Sequence, residues 1–566
     1  MSGNGVRASI PLLVVAVVFA ACASPPVAVS TTTSQQSGHR DQGVPKLSAL
    51  VANTYVNGSL LSSGGPSLTD RFGRVVTLHG TNAVYKRAPY ELTVEPGQPN
   101  SLTNGDAQRM SKLGFNVVRL GVIWAGIEPG SGGPNQPGIC TLGAAKDPGM
   151  WNQKVADVYL ARVRQVVNEL GRHHIYSLID MHQDVWSSVF GGEGAPPWAV
   201  CTDGIPITPS PGRWSHAYGN PSEIAAWNNF WYNDVVGGLQ QQYQRAWGAV
   251  AKEFSKSPWV VGYDPINEPS AMTDVVATPE VLYSASLSCL YAGSGGQTFE
   301  LDGKTPIPCP IDVPKVGLIK TIESADHEHL VFPEVDNASG PQGEALFLGT
   351  TRSLPRTVYN FHDYCPQRSG VTGNPTDLPA CSNHETTTMI NNMDRRSYYA
   401  TDSQPLGPAI MMTEFGATST LDLASLLALD AESNNLSWTW WSWRYYDDPT
   451  GSSEEALIQA DDQLSPIAPA LTATYAPAIA GTPVDASTNI SNGQFSMIWM
   501  SNPSITAPTT VFVDPLQFPY GYCTYVEGGG TITSKPDAQI LTITNPSTTQ
   551  LVGVRVVPGK CLGGRT

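Results

Sequence analysis

The stretch Trp259-Val260-Val261-Gly262-Tyr263-Asp264-Pro265-Ile266-Asn267-Glu268-Pro269-Ser270 is an apolar, β-branched run that stops abruptly at Asn267-Glu268-Pro269. Such a run reads as a strand buried on both faces, and Pro269, with no N–H to give, ends its ladder. Glu268 then falls at the strand's carboxyl end. A lone charge is costly to bury in a core. It suits a catalytic acid on a parallel barrel, where the site gathers at the C-terminal face of the strands.

Working outward, strand-like and helix-like stretches alternate from Leu47 to about Ala480. Strands are expected at Val75–Thr81, Asn116–Val122, Ile175–Met181, Trp259–Ile266, His329–Glu334, Arg356–Phe361, Ala409–Thr413 and Leu436–Trp443. Between them Ala107–Leu113, Lys154–Arg172, Gln240–Phe254, Val316–Ala325, Thr386–Arg396 and Asp422–Ala431 carry apolar residues at helical spacing. Eight strands alternating with helices predict an α/β fold, a (β/α)8 TIM barrel over residues 47–480. The region exceeds the ~250 residues typical of that fold. The surplus falls in insertions at Gln183–Gly238 and Ser288–Val313. Beyond it, short alternating runs at Phe495–Trp499, Thr510–Val513, Ile540–Thr544 and Val552–Val557 predict a C-terminal β-sandwich over 481–566. That sandwich reads as a structural cap, with carbohydrate binding or substrate presentation as the alternative.

The chain's beginning reads as an export signal. Arg7 precedes an apolar run from Ile10 to Ala21 that is short for a membrane span. Two cuts are open: Ala21-Cys22-Ala23 fits an ordinary cleavage site, and Phe19-Ala20-Ala21-Cys22 resembles a lipobox that would leave Cys22 lipidated. Residues 1–23 are therefore expected to be a signal peptide and 24–46 a Ser/Thr/Pro-rich linker. The other eight of nine cysteines are even in number. They pair most simply as Cys140–Cys201, Cys289–Cys309, Cys365–Cys381 and Cys523–Cys561, although 105 connectivities are open. The formal net charge of −16 argues against a nucleic-acid partner, and no CxxC spacing suggests zinc.

A barrel brings its strand ends into one ring. The second strand delivers Arg119, the third His182 and Asp184, the fourth Asn267 and Glu268, the sixth His362 and Tyr364, the seventh Glu414, and the eighth Trp441. Lys86 follows the first strand. Each has a bland explanation alone: an ion pair, a satisfied core histidine, a packed indole. Together, two carboxylates with imidazoles, a phenol, an arginine and an indole suit glycoside hydrolysis, which needs one acid to protonate the leaving oxygen and one carboxylate at the sugar's anomeric centre. Environments that push the two pKa values apart would divide the roles. Glu268 is expected as acid/base and Glu414 as nucleophile, the latter held charged by Arg119 and Tyr364. Asn267 is expected to bind a sugar hydroxyl, His182 and His362 to line the subsite or relay protons, Trp441 to floor it, and Lys86 and Asp184 to add sugar contacts.

With Asn267-Glu268-Pro269 after the fourth strand and Thr413-Glu414-Phe415-Gly416 at the seventh, the chain resembles glycoside hydrolase family 5. The resemblance implies a retaining (β/α)8 enzyme using the roles just given. Leu178-Ile179-Asp180-Met181-His182-Gln183-Asp184-Val185-Trp186-Ser187, and a barrel followed by a β-sandwich, look like the endoglycoceramidase branch, which separates oligosaccharide from ceramide. The first insertion carries Trp186, Phe190, Trp198, Trp214, Trp227, Phe230, Trp231 and Tyr232. These rings either wrap an acyl chain or pack the insertion onto the barrel. The expectation is an exported, monomeric β-glycosidase acting on a glycolipid, secreted or held at the cell surface, with no cofactor and no metal. Its rivals are a β-glucanase or mannanase, an exo-β-glucosidase on steryl or ceramide glucosides, and an inactive glycan-binding surface protein.

Overall fold

The computed structural model describes residues 61, 66–130, 151–208, 214–233, 238–270, 279–294, 298–299, 306–307, 309–334, 356–365, 381–382 and 407–561. The expected signal peptide and linker, the helix at Thr386–Arg396, Cys22 and Cys140 lie outside these residues.

Eight parallel strands form one sheet: β1 (His79–Ala83), β2 (Val117–Val122), β3 (Tyr176–Met181), β4 (Val260–Asp264), β5 (Leu330–Val331), β6 (Tyr359–Asp363), β7 (Ile410–Gly416) and β8 (Ser437–Trp441). They follow one another around the sheet, and β8 pairs with β1. Closure between β5 and β6 comes from parallel bridges Val331–Thr357 and Glu334–Asn360. There the Val331 N–H donates to the Arg356 carbonyl at 3.0 Å and the Val358 N–H to the Val331 carbonyl at 2.9 Å. Every residue of the eight strands is buried, as expected where helices cover the outside and side chains fill the inside.

The helices Asn104–Lys112, Gln153–Arg172, Leu239–Phe254, Leu318–Ala325 and Leu421–Ser433 match expected ones to within a turn. Their starts have local causes: Thr103 and Asp106 form a capping box before the first, and Asn152 caps the second. Two further helices, Pro221–Tyr232 and Pro279–Ala292, occupy stretches that the sequence assigns to insertion or loop. Their hydrophobicity is spread around the helix rather than concentrated on one face, so the periodic signal is weak.

The expected first strand, Val75–Thr81, is divided. Only His79–Ala83 belongs to the barrel. Val75–Val76 pairs instead with Leu68–Thr69 and with Tyr475–Ile479 in a six-stranded antiparallel sheet that also holds Thr509–Phe512, Ile540–Thr544 and Thr531–Ile532. A four-stranded antiparallel sheet (Gly481–Thr488, Phe495–Ser501, Leu551–Pro558, Tyr522–Glu527) faces it across a core that includes Ile479, Phe495, Trp499, Val511, Ile543 and Val554. This sandwich covers the barrel end where the strands begin. Tyr475 donates to the Gly114 carbonyl at 2.8 Å, just before β2, and stacks on His79 at the start of β1 with centroids 3.9 Å apart. Gly114 has φ +87°, and a Cβ there would lie 2.5 Å from the Phe512 ring, so both turn and contact require glycine.

Cys289–Cys309, Cys365–Cys381 and Cys523–Cys561 form disulfides. Cys201 is disulfide-bonded as well. Among the described residues no helix is long and apolar enough to cross a membrane.

Candidate active site

The opposite end of the barrel gathers the side chains delivered by the strand ends. Glu268 follows β4 and is only partly buried, its side chain 21% exposed. Its φ of +35° is rare for a residue with a Cβ. Glu414, on β7, is buried. One oxygen of each carboxylate and a ring nitrogen of His362 lie within 4.8 Å of one another.

Arg119 from β2 is fully buried and organises the floor. Its Nη1 donates to Glu414 Oε2 at 2.8 Å and to Asn82 Oδ1 at 3.2 Å. Its Nη2 donates to Asn267 Oδ1 at 2.9 Å and lies 3.0 Å from Asp180, while Nε donates to Asp264 at 3.0 Å. Tyr364 donates to the other Glu414 oxygen at 2.6 Å. His362 Nδ1 lies 2.9 Å from Glu268 Oε1, and its Nε2 lies 2.9 Å from Glu334 Oε1. Glu334, just beyond β5, also accepts the Glu268 backbone N–H at 2.6 Å.

Five carboxyls (Asp180, Asp264, Glu268, Glu334 and Glu414) thus face the cationic Arg119 and His362. Burial disfavours charge on an acid, and nearby carboxylates add to that effect. Burial pushes Asp180 and Asp264 each up to about 6 and Glu334 to about 7. It pushes Glu414 to about 7 as well, with Glu268 adding to the rise and His362, Arg119 and Tyr364 opposing it. The two expected donors do reach Glu414. They moderate burial without outweighing it, so Glu414 ionises near neutrality. Burial works against charge on His362, but Glu334, Glu414 and Glu268 hold its proton well above the ordinary imidazole range.

Asn267 is committed to the protein at both ends of its amide, accepting from Arg119 and donating to the Gln183 carbonyl at 3.0 Å. One N–H of its NH2 remains for a hydroxyl. His182 Nδ1 lies 2.6 Å from Asp180, and its ring stacks on Trp441 with centroids 5.4 Å apart. Four tryptophans crowd β8 and the bend after it, and they separate by environment. Trp438, Trp440 and Trp443 join the main core, whereas Trp441 sits in a small cluster with Val84, Ile123 and Ala125, against Tyr364. The Lys86 ammonium lies 4.3 Å from the Trp441 ring centre.

Lys86 and Asp184 are joined to each other at 2.6 Å, and Lys86 also reaches Thr450 at 2.8 Å and Asp448 at 3.1 Å. Burial opposes the lysine's charge, but Asp184, Asp448 and Glu193 outweigh it and keep it protonated. His182, Asp184 and Glu193 have a spacing that could hold a metal, yet Lys86 already places a cation there.

Of the two readings of the aromatic insertion, most of its rings follow the second and pack it onto the barrel. Trp186, Trp198, Trp227, Phe230 and Trp231 are all buried in the main core. Three of the indole N–H groups also bond within the protein: Trp198 donates to the Glu128 carbonyl, Trp227 to Glu223 and Trp231 to the Ser270 carbonyl. Of the eight rings only Trp214 is exposed; Phe190 and Tyr232 are intermediate. Apolar area is better removed from water by the barrel's own helices than left waiting for a ligand.

Sequence reasoning missed Asn82, Asp180, Asp264, Glu334 and Asp448. For Glu334 a signal existed: His329-Leu330-Val331-Phe332-Pro333-Glu334 ends an apolar run in a carboxylate, as the fourth strand does.

Residues 89–447 match the profile for cellulase (glycosyl hydrolase family 5), and residues 474–556 match that for the glycoside hydrolase family 5 C-terminal domain. The chain is 28% identical over 492 residues to endoglycoceramidase I of Rhodococcus hoagii (strain 103S), covering 85% of each chain. It is 31% identical over 248 residues to the endoglycoceramidase of Cyanea nozakii, covering 40% of this chain and 44% of that one. Endo-glycoceramidase II from Rhodococcus sp., solved in complex with ganglioside GM3, superposes with a TM-score of 0.65 at 22% identity, covering 88% of this chain and all of the other.

Proposed function

Since the chain belongs to glycosyl hydrolase family 5, we propose that it is an exported, retaining β-glycosidase that cleaves the bond between a sugar chain and a lipid aglycone. Glu268 acts as acid/base and Glu414 as nucleophile. The single observation that carries the retaining reading is the separation of the two carboxylates, whose oxygens approach within 4.8 Å. Retaining enzymes hold theirs ~5–5.5 Å apart, whereas inverting enzymes leave ~6.5–9.5 Å for a water.

In the first step Glu268 gives its proton to the glycosidic oxygen while Glu414 attacks the anomeric carbon and the aglycone departs. In the second step Glu268, now a carboxylate, takes a proton from water, which displaces Glu414 and releases the sugar. Arg119 and Tyr364 each hold one Glu414 oxygen, and a carboxylate so held needs little rearrangement as its charge is consumed. Asn267, with a remaining N–H, serves a sugar hydroxyl, and Trp441, His182, Lys86 and Asp184 shape the pocket beside it.

The lipid aglycone is supported by the name of a relative aligned across 85% of the chain, endoglycoceramidase I of Rhodococcus hoagii. It draws little support from the aromatic insertion, most of which is packed away. Export is supported by the disulfides, which persist in oxidising compartments. A monomer at the membrane surface, free or anchored through Cys22, completes the reading.

Incubating the protein with glucosyl-, galactosyl- and lactosylceramide, gangliosides and steryl glucosides, and measuring the released glycans, tests it. Intact oligosaccharide from ceramide substrates, appearing first as the β anomer by NMR, is expected. Initial release of the α anomer would overturn retention, and release only from soluble polysaccharide would overturn the lipid aglycone. Glu268→Gln and Glu414→Gln should each lower turnover of ceramide substrates at least ~100-fold.

A further inference from the structure

We propose that Glu334 is a positioning residue for the acid/base glutamate, gripping Glu268 by its backbone N–H on one side and through the His362 imidazole on the other. The inference rests on the assignment of Glu268 as acid/base.

Glu334 has a side chain with no exposure at all, immediately beyond β5. Its two oxygens have separate tasks. Oε2 accepts the Glu268 N–H at 2.6 Å, and Oε1 lies 2.9 Å from His362 Nε2. The other ring nitrogen returns to Glu268 Oε1 at 2.9 Å. The result is a closed circuit across three strand ends: an ion-pair contact from Glu334 to the imidazole, a hydrogen bond between the imidazole and the Glu268 carboxyl, and a hydrogen bond from the Glu268 peptide back to Glu334.

Each link answers a physical need. Glu268 holds φ +35°, a conformation that persists in a residue with a Cβ only where its surroundings fix it. The peptide N–H of that residue is fixed by a carboxylate. His362 must present Nδ1 as a donor to Glu268, and a carboxylate at Nε2 favours the doubly protonated ring that can do so. A glutamine at 334 could accept the peptide N–H but would not stabilise a charged imidazole. Asp264 and Arg119 are further charged neighbours of Glu334, and the Tyr291 hydroxyl anchors the Glu334 carbonyl at 3.2 Å.

The consequence for chemistry is a choice of oxygen. With Oε1 of Glu268 occupied by the His362 N–H, the acidic proton resides on Oε2. It passes from there to the glycosidic oxygen as the bond from the anomeric carbon to that oxygen breaks and the bond to Glu414 forms. Loss of the grip should therefore slow reactions that need the proton far more than those that do not.

The test compares an alkyl β-glycoside, whose leaving group needs protonation, with a dinitrophenyl β-glycoside, whose leaving group departs unaided. In Glu334→Gln the kcat/KM for the alkyl glycoside should fall at least ~10-fold, within the span of general acid catalysis, while that for the dinitrophenyl glycoside stays within about 3-fold. The ratio is read on one preparation, so the folded fraction cancels. Glu334→Asp, which keeps the charge on a shorter arm, should recover part of the ratio. Equal losses on both substrates in Glu334→Gln and Glu334→Asp would make Glu334 merely structural and overturn the proposal. Glu268→Gln is measured alongside: if it spares the dinitrophenyl glycoside and Glu334→Gln does not, the positioning role alone fails. If Glu268→Gln itself loses both alike, the acid/base assignment fails and the proposal falls with it.

Discussion

Glu414 is gripped by one neutral and one charged donor, Tyr364 at 2.6 Å and Arg119 at 2.8 Å, and is still pushed up to about 7 by burial. Tyr364→Phe removes a donor that favours the ionised form, so the carboxyl should become harder still to ionise. The acidic limb of the kcat/KM profile should then move to higher pH, with a loss of about 10-fold at pH 6 that shrinks by pH 8; a uniform loss at all pH values would contradict it. The same shift has a stability consequence. A carboxyl whose folded pKa is raised binds its proton more tightly in the native state, so its contribution is fully present below the unfolded value and is lost as pH rises to about 7. Glu414→Gln should therefore raise Tm more at pH 8 than at pH 5, by an amount equivalent to at most about 3 kcal/mol. An equal change at both pH values would refute the sign. Glu268 and Glu414 were legible in the sequence because each ends an apolar run where a lone carboxylate has no structural reason to be. Glu334 ends its run the same way, but nothing in the chain's order shows that its two oxygens are spent on a peptide and an imidazole from other strands.

At the scale of elements, β2, β3, β4, β6, β7 and β8 were legible to within a few residues, because strands buried on both faces are written as continuous apolar runs. Pro221–Tyr232 was not, since a helix buried nearly all round loses the polar stripe that marks helical period. This helix explains the insertion's purpose in the fold. Trp227 stacks on Trp231 with centroids 5.4 Å apart, and Trp231 donates to the Ser270 carbonyl, two residues beyond Glu268. The Gln183 side chain, at the insertion's start, donates to the carbonyls of Asn267 and Glu268, each at 2.8 Å. The insertion thus holds the chain just after β4. Trp227→Ala should cost about 3–5 kcal/mol, as for other buried aromatic truncations, seen as a lowered Tm. If its ring only packs, the ratio of kcat/KM for glycolipid over aryl glycoside should stay unchanged. A selective loss on glycolipid would instead assign this ring a role in binding the lipid.

At the scale of the whole molecule, the segments just before and just after the barrel lie in the same sheet. Before the chain enters β1, Leu68–Thr69 pairs with Val75–Val76, and Val75–Val76 pairs in turn with Tyr475–Ile479, which follows the barrel. The sequence hid this because Val75 to Thr81 reads as one strand-like stretch, and a stretch does not say which of two sheets each half joins. The junction is also apolar. Phe512, Tyr475 and Ile540 of the sandwich share a cluster with Leu78, Val117, Tyr176, Leu178, Val261, Leu330 and Phe332 at the barrel's closed end. Barrel and sandwich belong to one compact unit, and separating them would expose that cluster and break the strand pairing together. Each half would lose burial worth ~25 cal/mol per Å² of apolar area, so neither should persist once the other has unfolded. Calorimetry of the intact protein should accordingly show one cooperative transition. Phe512→Ala, a truncation costing about 3–5 kcal/mol, should move that whole transition down while leaving kcat/KM unchanged below it, because the ring lies at the end of the barrel remote from Glu268 and Glu414. Two resolved transitions, with Phe512→Ala shifting only one, would show that the sandwich is an independent appendage and that the shared sheet does not couple the halves.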